Sequence, residues 1–395
     1  MRRRNVPILA FTVVAMVASR LTWARLLPIH YASLGANDAQ IGTAFSLAAA
    51  ALALFQLLGG VLADRIGRKP VAVLPIFGVG LAVAWMARSG DWRELLAGHL
   101  ILAAFAATQS PGFTTLLAES VPIEERGRAF GLISVASHFA NAAGPALGAW
   151  LLTFTTLPSL LWGTAGVGVA VSLSRLLLLR ETLEKSSRST PRGWREANWR
   201  AVGPFLIVGA LYVTFNNLLR GGPFISLHAR QALGLDDVQL NLLFAAGDGV
   251  AIGAALAGGW MADRLGHRFA FTLGIAIQAT GILAWSLLPP ATASVGFFLL
   301  GMSGGPIAYV TYRALLTGAV ESRQRGAFVG LVGVLTGLLG SPASRVGAEL
   351  RAWFGSSAPF WAALGLAGAL ALILAMDARC CRKSGPANGG RNLSF

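Results

Sequence analysis

The chain carries a charged segment that reads Gly59-Gly60-Val61-Leu62-Ala63-Asp64-Arg65-Ile66-Gly67-Arg68-Lys69-Pro70. A second copy begins 199 residues later and reads Gly258-Gly259-Trp260-Met261-Ala262-Asp263-Arg264-Leu265-Gly266-His267-Arg268. The match extends upstream without a gap, so that residues 34–67 and 233–266 share 12 identities in 34 positions. Both copies end an apolar run with a short charged turn. The chain therefore contains a duplicated unit that includes one whole apolar helix and both of its flanking turns.

The composition indicates a membrane protein. Apolar residues make up 55% of the chain, charged residues 12%, and the mean hydropathy is +0.63. A soluble protein carries about twice that share of charge. The net charge of +15 could suggest nucleic acid. However, the basic residues lie in short strips between apolar runs of about 20 residues, the length that crosses a bilayer core. We therefore expect a multi-pass protein of a bacterial inner (plasma) membrane, surrounded by the lipid bilayer, without a nucleic-acid partner.

Twelve apolar spans can be read, at residues 7–31, 40–62, 71–89, 93–117, 129–154, 158–179, 202–226, 236–257, 271–289, 293–316, 327–347 and 357–377. The longest polar connection divides them into six and six. We expect an all-α membrane protein with two homologous six-helix bundles, at 5–185 and 201–378, joined by a cytoplasmic linker at 186–200 and followed by a cytoplasmic tail at 379–395. Because the duplicated unit contains a whole helix in the same orientation, this layout is typical of transporters.

The distribution of basic residues predicts the orientation. With the amino terminus inside, the inner strips hold 22 lysines and arginines and the outer strips hold 5. Inner loops of membrane proteins are enriched in positive charge. We therefore expect both termini to be cytoplasmic.

Several kinds of chemistry have no support in the sequence. The histidines are scattered singly, without metal-ligand spacing. A phosphate-binding P-loop needs lysine after glycine, and none of Lys69, Lys185 and Lys383 follows one. Cys380 and Cys381 are adjacent in the tail, where they are either inert thiols or a lipidation site. We expect a monomer that is not an enzyme, with no metal, no cofactor and no ATP-driven step.

The segment at 59–70 resembles the loop 2–3 signature of the major facilitator superfamily, Gly-x-Leu-Ala-Asp-Arg-x-Gly-Arg-Lys. The resemblance implies a conformational latch, in which Asp64 meets the amino terminus of span eleven near Gly326. The alternative is a turn that is merely solvated. The implied latch residues are Gly60, Asp64, Arg65, Gly67, Arg68 and Lys69, with a weaker second copy at Gly259, Asp263, Arg264 and Gly266.

Span five resembles the antiporter motif of the twelve-helix drug:proton antiporter branches of that superfamily, through Gly131, Gly144, Pro145 and Gly148. Those branches commonly have an arginine about twelve residues before a Ser-Pro pair in span four, and here that place holds His99. Because histidine titrates near neutral pH, His99 is a candidate proton-coupling residue.

Ionisable residues inside the spans are the remaining candidates. A charge in the middle of a bilayer costs at least roughly 2.5–3.5 kcal/mol, so it is normally paired or faces water. Asp248 is a carboxylate well inside a span, and we expect it to carry the coupled proton and to pair with Arg20 or Arg220. Arg175 and Arg313 lie close enough to the cytoplasmic face to snorkel. The substrate-cavity candidates are Arg20, Arg25, His138, Asn141, Asn217, Arg220 and Tyr309.

These observations predict a secondary active transporter that moves a small organic solute by alternating access, as proton-coupled efflux. Cations outnumber the acid in the spans, which leaves an arginine for an anionic group of the substrate. An organic-anion or phosphate-ester carrier, working in uptake or exchange, is therefore an alternative. A membrane sensor or scaffold is a further alternative, but no segment is long enough for a soluble output domain. The ionisable and polar candidate residues inside the spans could also serve only as structural bridges between the two halves.

Overall fold

The computed structural model describes residues 4–182, 199–289, 292–318 and 325–383. Within these ranges the chain is helical and contains no β-strand. Its helices are α1 (Asn5–Leu21), α2 (Leu27–Ser33), α3 (Asp38–Ile66), α4 (Arg68–Ala87), α5 (Trp92–Glu119), α6 (Arg126–Leu152), α7 (Leu157–Leu178), α8 (Trp199–Leu218), α9 (Phe224–Gln231), α10 (Asp237–Leu265), α11 (His267–Leu287), α12 (Thr292–Gly318), α13 (Arg325–Gly340), α14 (Ala343–Phe354) and α15 (Ala358–Lys383).

The described residues contain nine candidate membrane spans, helices or helix pairs that are long and apolar enough to cross a bilayer. Two shorter apolar helices lie at Asn5–Leu21 and Gly203–Leu218. Each of the twelve predicted spans falls on one helix or on two consecutive helices. The prediction of an all-α membrane fold is confirmed.

The duplication is visible in the ends of two helices. Both α3 and α10 have 29 residues, and their limits differ by 199 positions. At the start of α3, Gln40 N donates to Asn37 Oδ1 (2.9 Å) while Asn37 N donates to Gln40 Oε1 (2.8 Å). At the start of α10, Asp236 and Gln239 form the same reciprocal pair at 2.8 and 3.0 Å. This capping box satisfies amide groups that a helix end otherwise leaves without partners.

The same two helices end at glycines in the left-handed region, Gly67 (φ 113°) and Gly266 (φ 88°). Other residue types rarely adopt this conformation, so the glycines allow the immediate turn into α4 and α11. The turn between the spans is therefore as short as the sequence predicts, in both copies.

Close helix packing also repeats. A side chain at Gly59 would place its Cβ 2.8 Å from the carbonyl carbon of Thr108, and one at Gly258 would place it 2.8 Å from Ile307 Cα. Both pairs are 199 residues apart, so α3 packs on α5 as α10 packs on α12. Gly60 and Gly259 have no neighbour within 4 Å of a Cβ. The close helix contact is thus made by the first glycine of each Gly-Gly pair.

Two predicted spans prove to be broken helices. Span 7–31 consists of α1 and α2 with a turn at 22–26, and span 202–226 consists mainly of α8 with a turn at 219–223 before α9. Hydropathy did not reveal these breaks because each turn has one charged residue, Arg25 or Arg220, inside a long apolar run. The sequence Gly221-Gly222-Pro223 was nevertheless a usable signal for the second break. The predicted span 327–347 is also divided, into α13 and α14, next to Pro342, which cannot donate a helical hydrogen bond.

The chain forms two compact units. The first comprises residues 1–190 and 229–248, and the second comprises 191–228 and 249–395. The first unit therefore includes the beginning of α10 as well as α1 to α7. Its core contains a cluster of buried aliphatic side chains from α1, α4 and α5, including Leu9, Val73, Leu116 and Leu117. The core of the second unit contains an aromatic group at Tyr212, Phe271 and Tyr312.

Candidate functional site

A buried ion pair lies in the first unit. Arg25 Nη2 is 3.4 Å from Asp248 Oδ2, and the Asp248 side chain is 3% exposed. The guanidinium also lies 4.6 Å from the centre of the Phe244 ring. The partner predicted for Asp248 was Arg20 or Arg220, which stays a prediction, and sequence reasoning did not name Arg25 as a partner. The reason is the break at residues 22–26, which places Arg25 outside the regular helical direction of α1.

One face of α10 holds the residues that meet this break. Asn241, Phe244 and Asp248 are three to four residues apart and so share a face of the helix. The fully buried Asn241 donates from Nδ2 to the backbone carbonyl of Thr22 at 2.8 Å. A broken helix within a membrane needs such partners for the carbonyl groups that it frees. Sequence reasoning did not select Asn241 as a site residue, although its spacing from Asp248 was a usable signal.

The glycines of span five make room for the same turn. A Cβ at Gly148 would lie 2.7 Å from Thr22 Cα and 2.8 Å from Asn241 Nδ2, and one at Gly144 would lie 2.7 Å from the Ala18 carbonyl oxygen. Helix α6 can therefore approach the backbone of α1 directly, as small residues permit in membranes. Gly131 has no neighbour within 4 Å of a Cβ, so its packing is not constrained in this way.

Three further candidate residues, Arg20, His138 and Asn141, lie on α1 and α6, the two helices that pack together beside the ion pair. Arg20 is in the last turn of α1, where it is exposed. His138 and Asn141 are half-buried on α6. They precede Gly144 at helical spacing and so continue the face that packs on α1.

His99 lies in an aromatic cluster of the first unit. Its Nδ1 is 3.2 Å from the Tyr31 hydroxyl, and its ring centre is 5.4 Å from that of Phe45. Residues of α2, α3 and α5 thus surround this imidazole. Its described contacts are separate from those of Asp248.

Loop 2–3 is organised around a buried arginine. Arg68 Nη1 donates to the Ala63 carbonyl at 2.8 Å and lies 3.2 Å from Asp64 Oδ1, while its Nε is 3.4 Å from Glu119 Oε1. Asp64 itself is 61% exposed. The contact predicted between Asp64 and span eleven stays a prediction.

The segment that follows α7 contributes an acid to the same loop. The carboxylate of Glu181 accepts hydrogen bonds from the backbone amides of Arg68 (3.2 Å) and Lys69 (3.0 Å). An anion is stabilised at the first turn of a helix, here α4, by its unpaired amides and dipole. Sequence reasoning missed both Glu119 and Glu181 because they are distant in the chain from the turn that they complete.

The second copy of the loop lacks this buried network in the described structure. Asp263 and Arg264 are both exposed, and Arg264 lies over the Trp260 ring at 5.4 Å. His267 occupies the position of the buried arginine. The weaker sequence match therefore corresponds to a turn with the same glycine geometry but a more exposed set of charges.

The second unit has a polar site of its own at the break after α8. Arg220 lies in this turn, and Asn217 donates from Nδ2 to the Gly340 carbonyl at 3.0 Å. A Cβ at Gly305 would lie 3.1 Å from Gln278 Oε1 and 3.6 Å from Arg220 Cδ. Tyr309 is exposed and its ring lies 5.9 Å from the Arg313 guanidinium. Both repeats thus place an arginine in the break of their first helix.

Arg175 does not snorkel as predicted. Its side chain is buried, and its Nε donates to Thr12 Oγ1 at 2.9 Å. Its Nη1 donates to the Ala72 carbonyl at 3.2 Å and to Gln109 Oε1 at 3.4 Å. The residue therefore joins α1, α4, α5 and α7 inside the first unit. Arg313, by contrast, is exposed.

Comparisons with known proteins agree with this architecture. The multidrug resistance protein MdtL of Shewanella sp. (strain ANA-3) is 29% identical over 41% of this chain and 41% of its own length. The multi-drug resistance efflux pump PmrA of Streptococcus pneumoniae (strain TIGR4) is 23% identical over 71% of this chain and 73% of its own. The structure of the nucleoside transporter NupG superposes with a TM-score of 0.77 and 14% identity, covering 95% of this chain and 99% of that one.

The sequence pattern of one family extends over most of the chain. The Major Facilitator Superfamily matches residues 8–344. Together with the apolar helices and the bacterial efflux relatives, this match identifies a multi-pass protein of a bacterial inner membrane. The chain belongs to the Major Facilitator Superfamily of transporters.

Proposed function

We propose that this transporter exports a small organic compound in exchange for protons, by alternating access of two six-helix bundles at residues 5–185 and 201–378. In this proposal both termini and the linker at 186–200 are cytoplasmic, and the transporter works as a monomer. The observation that carries the proposal is the buried ion pair between Arg25 and Asp248.

The chemistry of this pair suits proton coupling. An ionised carboxylate that is 3% exposed is stable only beside a cation, here at 3.4 Å. Protonation of Asp248 removes the attraction between its carboxylate and the Arg25 guanidinium. Loss of this attraction removes one of the interactions that hold α10 beside the break after α1. A group whose charge changes its preferred conformation can couple proton binding to transport.

Two further observations support export. The relatives named as multidrug resistance and efflux proteins share this family. In addition, the glycines of the antiporter-like motif, Gly144 and Gly148, pack directly on the α1 backbone beside the ion pair. These relatives favour transport of an unchanged solute over enzymatic chemistry and over the sensor or scaffold role.

A second candidate function is the transport of organic anions or phosphate esters. The cations Arg20, Arg25 and Arg220 outnumber Asp248 among the candidate residues. A guanidinium binds carboxylate or phosphate in a planar, two-pronged geometry. This excess of positive charge therefore favours an anionic group on the transported compound.

The test of proton coupling uses the purified protein in liposomes, with and without a pH gradient, and a panel of cationic and anionic dyes. We expect the wild type to move at least one dye faster with the gradient. Asp248→Asn should abolish this acceleration while substrate exchange without a gradient remains. A variant that folds and still responds normally to the gradient would show that Asp248 does not carry the coupled proton.

A stability measurement separates coupling from a structural role. Removing one partner of a buried pair costs about 3–5 kcal/mol, because the other charge is left alone. Arg25→Gln combined with Asp248→Asn removes both charges and should unfold at a higher temperature than Asp248→Asn alone. If the double variant regains stability but not coupling, Asp248 acts on protons rather than only on folding.

A further inference from the structure

The turn between α10 and α11 exposes large apolar side chains. Trp260 is 57% exposed and Leu265 52%, both in the last two turns of α10, and Phe269 in the first turn of α11 is 53% exposed. Side chains of this size are unfavourable in water, and a group of them marks a surface that contacts a membrane or another molecule. The exposed surface of this turn therefore indicates a partner.

The two copies of the loop differ at this surface. In the first copy, Arg68 is buried and pairs with Asp64. In the second copy, His267 takes the place of Arg68, and Trp260 takes the place of Val61. The second copy thus keeps the glycine turn but carries an indole where the first carries a small side chain. The latch hypothesis gives this indole no role.

Arg264 is the charge that lies beside the indole. Its guanidinium is 5.4 Å from the centre of the Trp260 ring, within the range of a cation–π interaction. The residue is exposed, and no hydrogen bond or ion pair joins its side chain to another described residue. Asp263 is exposed too, but consecutive residues of a helix point in directions about 100° apart. The charge of Arg264 is therefore accessible to an anion from outside the chain.

The partner has to suit an indole, a guanidinium and exposed hydrocarbon side chains together. Tryptophan concentrates at the headgroup level of a bilayer, and arginine near a helix end extends its charge to the same level. On the predicted topology this turn faces the cytoplasm, where anionic lipids attract arginines next to the membrane. A soluble phosphate would meet the charge but would leave Leu265 and Phe269 in water.

We propose that Trp260 and Arg264 bind the headgroup of an anionic phospholipid in the cytoplasmic leaflet. The lipid phosphate accepts hydrogen bonds from the guanidinium in a planar, two-pronged geometry. The indole lies at the headgroup level, and Leu265 and Phe269 lie at the boundary with the acyl chains. The lipid fixes the depth of the cytoplasmic end of α10 in the bilayer.

Quenching of tryptophan fluorescence by brominated lipids tests this contact. The full-length protein is reconstituted in phosphatidylcholine bilayers that contain increasing fractions of brominated phosphatidylglycerol or brominated phosphatidylcholine. The signal of Trp260 is the difference between a protein and the same protein with Trp260→Phe. We expect half-maximal quenching of this signal at an about fivefold lower fraction of the anionic lipid, the effect of one arginine near an anionic surface.

Matched variants isolate the charge. Arg264→Gln should abolish the preference for phosphatidylglycerol and, because Arg264 is exposed, should unfold at the wild-type temperature. Arg264→Lys should keep part of the preference, since an ammonium group retains the charge but not the two-pronged geometry. Arg65→Gln is the control, because Arg65 is exposed at the equivalent position of the first copy. It should leave the Trp260 signal unchanged.

Three results would overturn the lipid site. The first is equal quenching by the two lipids in the wild type, and the second is an unchanged preference in Arg264→Gln. The third is a Trp260 signal that neither brominated lipid quenches, since protein or water would then cover the indole. Inorganic phosphate should not reduce quenching by phosphatidylglycerol, and if it does, the site takes soluble phosphate instead. None of these measurements uses transport, so the proposed function is tested separately.

Discussion

Asn241 donates a hydrogen bond to the main-chain carbonyl of Thr22 across 219 residues of sequence, and Gly148 packs against the same carbonyl group. Three helices thus meet at one peptide unit in the break of the first predicted span. The ion pair lies further along both elements, since Arg25 follows Thr22 by about one turn and Asp248 follows Asn241 by about two turns. The geometry of the charged pair therefore depends on how closely α6 approaches this turn.

Gly148→Ala should disturb this meeting point. The added methyl group would lie 2.7 Å from Thr22 Cα, so the backbone must move. Overpacking of this kind costs about 1–3 kcal/mol. We expect a lower unfolding temperature in detergent and slower transport. Gly131→Ala is the control on the same helix, since its methyl group meets nothing within 4 Å. Gly131→Ala should leave the unfolding temperature unchanged or raise it slightly, because alanine has a higher helix propensity than glycine. Equal losses of stability and transport in both variants would contradict the role of close packing at Gly148.

The latch hypothesis predicts a difference between the two copies of the loop. Asp64 is exposed and its described ion pair is with Arg68, so Asp64→Asn should leave the unfolding temperature nearly unchanged. Transport should nevertheless fall severely, because the negative charge proposed to meet span eleven is lost. Asp263→Asn should be milder, since the second copy lacks the buried arginine. If Asp64→Asn transports at the wild-type rate, the latch hypothesis is wrong, and the charged residues of the loop serve only to solvate the turn.

Asp91 gives a prediction for stability in acid. It precedes α5 and accepts hydrogen bonds from the backbone amides of Arg93 (2.7 Å) and Glu94 (2.9 Å), which lower the pKa of its carboxyl group. Because the pKa is lower in the folded state, this stabilisation is complete above the unfolded value, about 3.9, and is lost as the pH falls through the folded value. Asp91→Asn keeps a good helix cap without the charge.

The measurement is the unfolding temperature of both proteins between about pH 6 and about pH 2, a range that brackets the aspartate value. The wild type should lose its advantage over Asp91→Asn as the carboxyl becomes protonated, and the two should converge at the acid end. A difference that stays constant with pH would assign the effect to the hydrogen bonds rather than to the charge.

The orientation can be tested with reporter fusions. Fusions after residue 195 and after residue 385 should both report a cytoplasmic location, because the basic strips predict cytoplasmic termini and a cytoplasmic linker. A fusion after Ser89, between the third and fourth predicted spans, is the control and should report the outer side. A periplasmic signal from either cytoplasmic position would contradict the topology.

The sequence predicted the elements whose signals are local. The limits of α3 and α10 follow from capping residues and glycines that recur at the same offset in both copies. The antiporter-like glycines were identified through the resemblance of span five to the family motif, although Gly131 lacks the close contact of the others. These features depend on residues within a few positions of one another, and a single sequence records them directly.

The contacts that sequence reasoning missed join distant residues or depend on side-chain direction. The ion pair of Asp248 with Arg25 was not predicted, because a break turns the chain at residues 22–26. Arg175 points into the bundle rather than toward the headgroups, since Thr12 and Gln109 offer it acceptors there.

The Thr22 carbonyl also bears on the order in which the chain matures. The capping boxes of α3 and α10 join residues three apart, so each can form as soon as its helix leaves the ribosome. The bond from Asn241 cannot form until α10 has been synthesised, although α1 was made first. A nascent chain that stops in the linker would hold a finished set of helices with the first of them still lacking this partner. The amino-terminal half should consequently remain a substrate for membrane quality-control proteases until α10 is inserted beside it.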